Sequence, residues 1–134
     1  MTLNEVKNIT LLVCAWLGGV ASYAFGGIDG ILITLVAFTI FDYVTGILSA
    51  IINGKLSSYK GYKGIIKKIA LYILVAISVL LERYIGIPAI REIVIMFFIG
   101  NEGISILENM VEIGVDVPPA IKTALNEINK KGSE

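Results

Sequence analysis

The chain has 134 residues, of which 56% are hydrophobic and 16% are charged, and its 11 basic residues balance its 11 acidic ones. Mean hydropathy is +0.83, and so small a globule cannot bury so large an apolar fraction, because its surface-to-volume ratio is unfavourable. Composition therefore excludes an ordinary soluble domain, and the zero net charge gives no general attraction to nucleic acid. We expect a single membrane domain over residues 1–134.

The residue types that carry most enzyme chemistry are scarce. The chain has no histidine, which removes histidine-activated nucleophiles and most transition-metal ligand sets. Cys14 is the single cysteine, so no internal disulfide can form. Carboxylates within membrane spans more often serve ion paths or helix pairing than hydrolysis. We therefore expect no enzyme, no cofactor and no metal site.

The first predicted span covers residues 9–25, whose length is at the lower end of the range that crosses a bilayer. A signal peptide is the alternative, but small residues continue through this segment as one helix face. That face consists of Ala15, Gly19, Ser22 and Gly26. Because small residues let membrane helices approach closely, we predict a helix-packing face. The competing explanation is that small residues are simply common in spans.

The second predicted span covers residues 31–52, after a glycine-rich turn over residues 26–30. A helix of this length is about 33 Å long, enough for a hydrocarbon core of about 30 Å. Helical spacing places several small or polar residues on one face: Thr39, Asp42, Thr45, Gly46, Ser49 and Asn53. One side of this helix therefore cannot face lipid.

A basic segment follows over residues 53–66 and continues to the start of the next span. Its lysines are Lys55, Lys60, Lys63, Lys67 and Lys68. Lysines near span ends stay on the cytoplasmic side, and they also suit anionic lipid headgroups. We predict a cytoplasmic loop whose lysines set the topology and contact these headgroups.

The third and fourth predicted spans cover residues 67–85 and 91–112. The third is short unless its first lysines reach back to the interface. In the fourth, Asn101, Ser105, Glu108 and Glu112 form a polar stripe by helical spacing. Such a helix either lines a wet cavity or moves out into the interface, and the unbroken apolar lead-in favours the cavity.

The candidate functional residues are the polar groups of the second and fourth spans: Asp42, Thr45, Ser49, Asn101, Glu102, Ser105, Glu108 and Asn109. Asp42 and Glu102 are predicted at similar depth, and no basic residue of a span is expected near them. Either both face water in an assembled lumen, or at least one is neutral and hydrogen-bonded to a neighbour such as Thr45 or Asn101.

Residues 113–134 are predicted as a cytoplasmic tail whose short amphipathic helix lies on the membrane surface. The predicted fold is thus all-α, with four transmembrane helices in two hairpins plus this helix; three spans are the alternative. With both termini inside, all nine lysines are cytoplasmic and only Arg83 and Arg91 are outside, which favours four spans.

Three motifs lie between the second predicted span and the start of the tail. Their residues are Asp42, Tyr43, Thr45 and Gly46; Gly54 to Ser58, Gly61, Gly64, Ile65 and Lys68; and Asn101 to Gly103, Ser105, Ile106, Glu108, Asn109, Gly114 and Pro118. Together they resemble the bacteriophage holin family that includes clostridial toxin-secretion holins. The resemblance is strongest over residues 42–119 and weak in the first span, and the string NEGxSIxEN, beginning at Asn101, is its most specific part. Where the family often has an aspartate at the end of the third span, this chain has Glu82.

The resemblance implies a small protein that accumulates in the bacterial cytoplasmic membrane, oligomerises and opens it. A cell-wall hydrolase (endolysin) or a large toxin then leaves the cytoplasm, and an antiholin is a possible partner. The residues alone leave two other classes open: an antiholin-like regulatory membrane protein, and a small ion channel or transporter subunit. The two polar helix faces and the small-residue face are what a self-assembling pore subunit needs, because polar stripes left unsatisfied in a monomer drive association.

Overall fold

The computed structural model describes residues 1–133, and this part of the chain is helical without strands, which confirms the predicted all-α fold class. A five-residue π-helical segment, Leu81–Ile85, continues the third helix. The five α-helices are α1 (Leu3–Phe25), α2 (Gly30–Ile52), α3 (Ser58–Leu80), α4 (Ile90–Ile113) and α5 (Pro119–Ser133).

The turn between α1 and α2 is short because the residue that ends α1 and the residue that begins α2 both suit a tight turn. Gly26 closes α1 with a φ of 73°, a left-handed conformation that glycine adopts without strain. Asp29 caps α2, its side chain accepting a hydrogen bond from the backbone N–H of Leu32 at 3.1 Å. Together these residues form the predicted antiparallel hairpin.

Helices α2 and α4 lie side by side and run in the same direction. Near their starts Arg91 pairs with Asp29, and near their ends Ser49 donates a hydrogen bond to Glu112. Helix α3 runs the opposite way, since Tyr72 reaches Thr39 with a hydroxyl–hydroxyl distance of 3.1 Å. These three helices enclose the core.

Each of the three central helices contributes a fully enclosed side chain to the core. Leu35, Val75 and Ile95 come from α2, α3 and α4 and have no exposed surface. The remaining buried members of this cluster are Leu32, Leu71 and Ile99. In contrast, α1 has no buried residue and meets the bundle through its last turns, where the Phe25 ring packs edge-on against Tyr72 at 5.9 Å.

Three helices are long and apolar enough to cross a membrane: α1, α2, and α3 together with its π-helical extension. Their outward side chains are mostly large and apolar, and such a surface requires lipid or protein as its neighbour. Helix α4 is different, because Ile93 and Val111 are its only strongly exposed large apolar residues in the described chain. It lies among α2, α3 and α5.

Two predicted segments differ from the structure. Only residues 53–57 connect α2 to α3, so the loop predicted over 53–66 is in fact mostly helix, beginning at Ser58. Lysine is a good helix former, and the repulsion between the basic charges and the positive N-terminal end of the helix dipole is weak where that end is solvated. Four of the five lysines therefore stand on a helix and project at fixed angles.

Helix α5 packs against α4, whereas we expected it to lie on the membrane surface. Leu125 on its apolar face is buried against Gly103, close to Phe38 of α2. The contact depends on the missing side chain, since a Cβ on Gly103 would lie 2.7 Å from a Leu125 methyl and 3.2 Å from the Phe38 ring. Apolar area on α5 is thus covered by protein.

Candidate functional site

A three-residue charge cluster joins the central helices. Lys68 on α3 donates hydrogen bonds to Asp42 on α2 at 2.6 Å and to Glu102 on α4. The three side chains are 13–16% exposed. One ammonium therefore lies between two carboxylates and offsets much of their mutual repulsion.

The predicted similar depth of Asp42 and Glu102 agrees with this geometry, but the expectation that no basic residue lies near them is wrong. Lys68, which we assigned to topology and lipid headgroups, is instead their shared partner. A signal was present in the sequence. Asp42 lies 10 residues before the end of α2 and Lys68 lies 10 residues after the start of α3, so a hairpin of equal arms brings them level.

Asn109 extends the cluster along α4. Its amide nitrogen donates to the Asp42 carboxylate at 3.2 Å and to the Thr45 hydroxyl at 3.0 Å. It also donates to the Asp42 backbone carbonyl at 3.3 Å, and it lies 3.6 Å from a Cβ built on Gly46, an ordinary contact. Two of the predicted polar faces thus meet each other rather than lipid.

A second polar contact lies nearer the ends of α2 and α4. Buried Ser49 donates to Glu112, and the side-chain amide of Asn53 donates to the Ser49 backbone carbonyl at 2.9 Å. Glu112 was placed on the polar stripe by the sequence but was not among the candidate site residues. Its hydrogen bond to α2 makes it one.

The stripe predicted on α4 divides between two environments. Ser105 lines a cleft between the helices, whereas Asn101 and Glu108 are exposed on the outside. The interior is reached instead by Glu102 and Asn109, the residues that immediately follow these two exposed ones. The inward face is therefore rotated by about 100°, one residue of an α-helix, from the stripe read off the sequence.

The cleft opens between the end of α2, the start of α3 and the second half of α4. Its volume is about 460 Å3, and a neighbouring hollow of about 370 Å3 shares part of its wall. Among its lining residues are all three members of the charge cluster, three further lysines and several small residues: Asp42, Lys68 and Glu102; Lys55, Lys60 and Lys67; Gly46, Gly61, Gly64 and Ser105. Lys63 is exposed and lies outside this lining.

The small-residue face of α1 is mostly unoccupied. Ala15 and Gly19 are exposed, and no atom of another part of the described chain lies within 4 Å of a Cβ built on Gly19. Ser22 is half-buried, while Gly26 packs tightly against the Arg91 side chain, 2.8 Å from a built Cβ. Within one chain, only the end of this face makes the close contact that we predicted.

The opposite end of the bundle is closed by Arg91, a residue that our candidate site did not include. Its guanidinium donates to the Phe25 carbonyl at 2.6 Å, to the Gly27 carbonyl at 3.1 Å and to both Asp29 carboxylate oxygens at 2.7 and 3.1 Å. This hydrogen bonding holds the pKa of Asp29 below its ordinary value. The sequence signal was an acid and a base, Asp29 and Arg91, at the outer ends of the second and fourth predicted spans.

The side chains brought together here form ion pairs and hydrogen bonds between helices. Within residues 1–133 no three His, Cys, Asp or Glu side chains are grouped as a metal site would require. The cluster provides fixed charges, a polar cleft and hydrogen-bonding groups inside a bundle whose outer helices are apolar. The fold and the site together define a small, helical, membrane-spanning protein with a polar interior.

Comparison with known proteins gives the family. The model of the bacteriophage holin family matches residues 19–130, so the chain belongs to that family, as its motifs indicated. It is a family of non-enzymatic membrane proteins.

The relatives include an uncharacterized protein of Listeria monocytogenes, Lmo0128, 42% identical over 87% of this chain and 84% of the relative. An uncharacterized 14.9 kDa protein of Clostridium perfringens is 38% identical over 86% of this chain and 89% of the relative. A probable holin of Bacillus phage phi105 is 27% identical over 84% of each chain. No solved structure matches the chain.

Proposed function

We propose that the protein is a holin-like membrane protein that oligomerises, permeabilises the bacterial cytoplasmic membrane and releases an endolysin or a large toxin. Family membership supports the class. The proposal assigns no catalytic role to any residue. Its partners would be copies of itself, anionic lipid and, in cells that have one, an antiholin.

The observation that carries the proposal is the two-sided surface of the chain. Helices α1 to α3 expose large apolar side chains, as lipid-facing helices do. Helix α5, packed beside Gly103 and Phe38, exposes charged residues: Lys122, Glu127, Lys130 and Lys131. Phe38 is eight residues into α2, about 12 Å from its start.

Charges at such a depth cost roughly 2.5 to 3.5 kcal/mol each when they face hydrocarbon. An assembly in which several copies turn α5 toward a shared aqueous lumen removes this cost and keeps the apolar helices in lipid. We propose this arrangement for the open state. The exposed small-residue face of α1, around Gly19, then provides a surface on which neighbouring copies can pack.

We propose that α4 is the fourth span. It carries too many charged residues to face lipid, but enclosure by neighbouring helices removes that requirement. Glu102 has a cation beside it, and Asn109 has partners on α2. The wet-cavity interpretation of the polar stripe is therefore retained, with its inward face shifted to Glu102 and Asn109.

We propose that the N-terminus, the connection at residues 53–57 and the start of α5 face the cytoplasm, because Lys7 and the first lysines of the basic segment, Lys55, Lys60 and Lys63, then lie on that side. Impermeant thiol labelling of Ser58→Cys on a Cys14→Ser background tests this topology. The residue should react in inverted membrane vesicles and stay unlabelled in intact cells before lysis. Labelling of intact cells would reject the model.

Expression in a bacterium tests the function. The proposal predicts abrupt loss of membrane potential together with leakage of a folded cytosolic reporter protein. Loss of potential without protein leakage would instead support an ion channel subunit. If neither occurs, and co-expression delays lysis by a separate holin, the chain is an antiholin-like regulator.

A further inference from the structure

We propose that the cleft is a binding site for the phosphate of an anionic phospholipid, held by Lys55 and Lys60 at its mouth and by Lys67 further along α3, whose flexible side chain can reach back toward the mouth. The inference deepens the proposed function, since it rests on the placement of these helices in a bilayer. It assigns the lysines two separate roles that the sequence alone did not distinguish.

The size and shape of the cleft suit a phospholipid headgroup. A volume of about 460 Å3 is within the range of small-molecule sites and easily admits a phosphate with part of its glycerol. Gly61 and Gly64 add no side chain to the α3 wall of the cleft, and the Tyr43 side chain of α2 lies beside them, 3.7 to 4.0 Å from a Cβ built at either position. A headgroup would therefore enter the cleft beside Tyr43, which also lines it.

The lysines that line the cleft favour a negatively charged ligand. Lys68 is already paired with Asp42 and Glu102 at the inner end of the cleft. Among the described side chains, none of the other three lining lysines forms a salt bridge with a carboxylate. Three lysines outside any of these salt bridges thus line one cleft, with one acid, Glu112, in the adjoining hollow that Lys55 and Lys60 also line. A phosphate oxygen is a suitable anion for their ammonium groups.

The mouth of the cleft lies at the level where lipid headgroups are expected. Lys55 follows the end of α2, and Lys60 lies in the first turn of α3, so the mouth is at the end of two helices that are long and apolar enough to span. Basic pockets between spans at this level are where acidic lipid headgroups bind. Ile47 and Leu56 also line the cleft, so the start of an acyl chain has apolar contacts there.

Lys63 provides a matched control. It is on the same helix between Lys60 and Lys67, carries the same charge and is exposed, but it lies outside the cleft lining. A general attraction between a basic helix and a negative membrane depends equally on all three residues. A built site depends on Lys60 and Lys67 but not on Lys63.

Native mass spectrometry tests the site on the full chain, reconstituted into phosphatidylcholine vesicles with or without phosphatidylglycerol and then released in mild detergent. We expect one retained phosphatidylglycerol per chain in the wild type and in Lys63→Gln. Lys60→Gln and Lys67→Gln should each lower retention about fivefold, and Lys60→Arg should largely preserve it. Circular dichroism verifies that each variant keeps its helices.

Equal losses in Lys63→Gln and Lys60→Gln would overturn the proposal in favour of diffuse surface attraction. Displacement of the lipid by millimolar inorganic phosphate would overturn it in favour of a free-phosphate site. Lipid retention is measured without any leakage step, so a chain that keeps its lipid but fails to leak contradicts only the proposed function. A chain that leaks without retaining lipid contradicts only this site.

Discussion

Lys68 balances the charges inside the bundle, and single substitutions around it should have unequal effects. With all three groups ionised, the cluster of Lys68, Asp42 and Glu102 carries a net charge of −1. Removing either carboxylate leaves a neutral pair, whereas removing the lysine leaves two adjacent anions. An uncompensated buried charge is costly, so removing the lysine should destabilise the fold more than removing either carboxylate.

We predict that Lys68→Met destabilises the folded chain by about 2 to 3 kcal/mol, while Asp42→Asn and Glu102→Gln cost less than about 1 kcal/mol each. Thermal unfolding in detergent measures this order. Lys63→Met is the control for loss of a lysine, and Asp42→Asn combined with Lys68→Met should recover part of the loss. Equal destabilisation by all three single variants would contradict the charge-balance explanation.

A second prediction concerns pH and the contact of Arg91 with Asp29. The pKa of Asp29 is lowered in the fold, chiefly by its hydrogen bonds to Arg91. Its contribution to stability is complete above the ordinary aspartate pKa of about 3.9 and disappears as the pH falls below that value.

Thermal unfolding between pH 6 and pH 3 should therefore show a loss of stability below about pH 4 that is smaller in Asp29→Asn. Because Asp29 is half-exposed, solvent screens this pair and the effect is modest. An unaltered profile in Asp29→Asn would show that this contact does not contribute.

The helices themselves were largely predictable, because long apolar runs and glycine or proline breaks dominate helix placement in a membrane protein. What the sequence did not predict were partners set by three-dimensional packing. Lys68 was grouped with the other lysines by composition, although its position along a helix decides its partner. Helix α5 was assigned to the surface from its amphipathic pattern, which cannot distinguish lipid from the α4 surface that covers Leu125.

Packing of α5 on α4 depends on Gly103, and this gives a prediction for one substitution. A methyl group there would overlap Leu125 and crowd Phe38, and overpacking of this kind costs about 1 to 3 kcal/mol. We expect Gly103→Ala to loosen α5 and to increase tryptic cleavage at Lys122 about tenfold or more. Gly46→Ala, whose Cβ would have only an ordinary contact at 3.6 Å, should leave cleavage unchanged. The docked position of α5 would be wrong if both variants were cleaved at the wild-type rate.

The small-residue face of α1 makes a separate prediction about assembly. Within residues 1–133 no neighbouring atom lies within 4 Å of a Cβ built on Gly19, so Gly19→Leu should not disturb folding or insertion. If neighbouring copies pack on this face, the same change should obstruct close approach and reduce crosslinked oligomers in membranes. Gly18→Leu is the control, because Gly18 is equally free of neighbours but points about 100° away. An unchanged crosslinking ladder in Gly19→Leu would assign the small residues to background composition.

The molecule as a whole combines an apolar outer surface on α1 to α3 with a charged helix on its other side and an interior of paired charges. In a single chain the docked α5 would place its charges beside lipid, whereas the ring of chains that we propose would turn them toward water. On this proposal, assembly and opening of the membrane would follow from the same surface pattern.

Reconstitution of the purified chain into sealed vesicles tests this central claim most directly. The vesicles hold a small fluorescent dye and a folded protein of about 30 kDa, a size in the ordinary range of globular proteins. We predict that both are released above a threshold ratio of protein to lipid. The threshold arises because several copies must assemble. Release of the dye alone at every ratio, or release of neither, would contradict it.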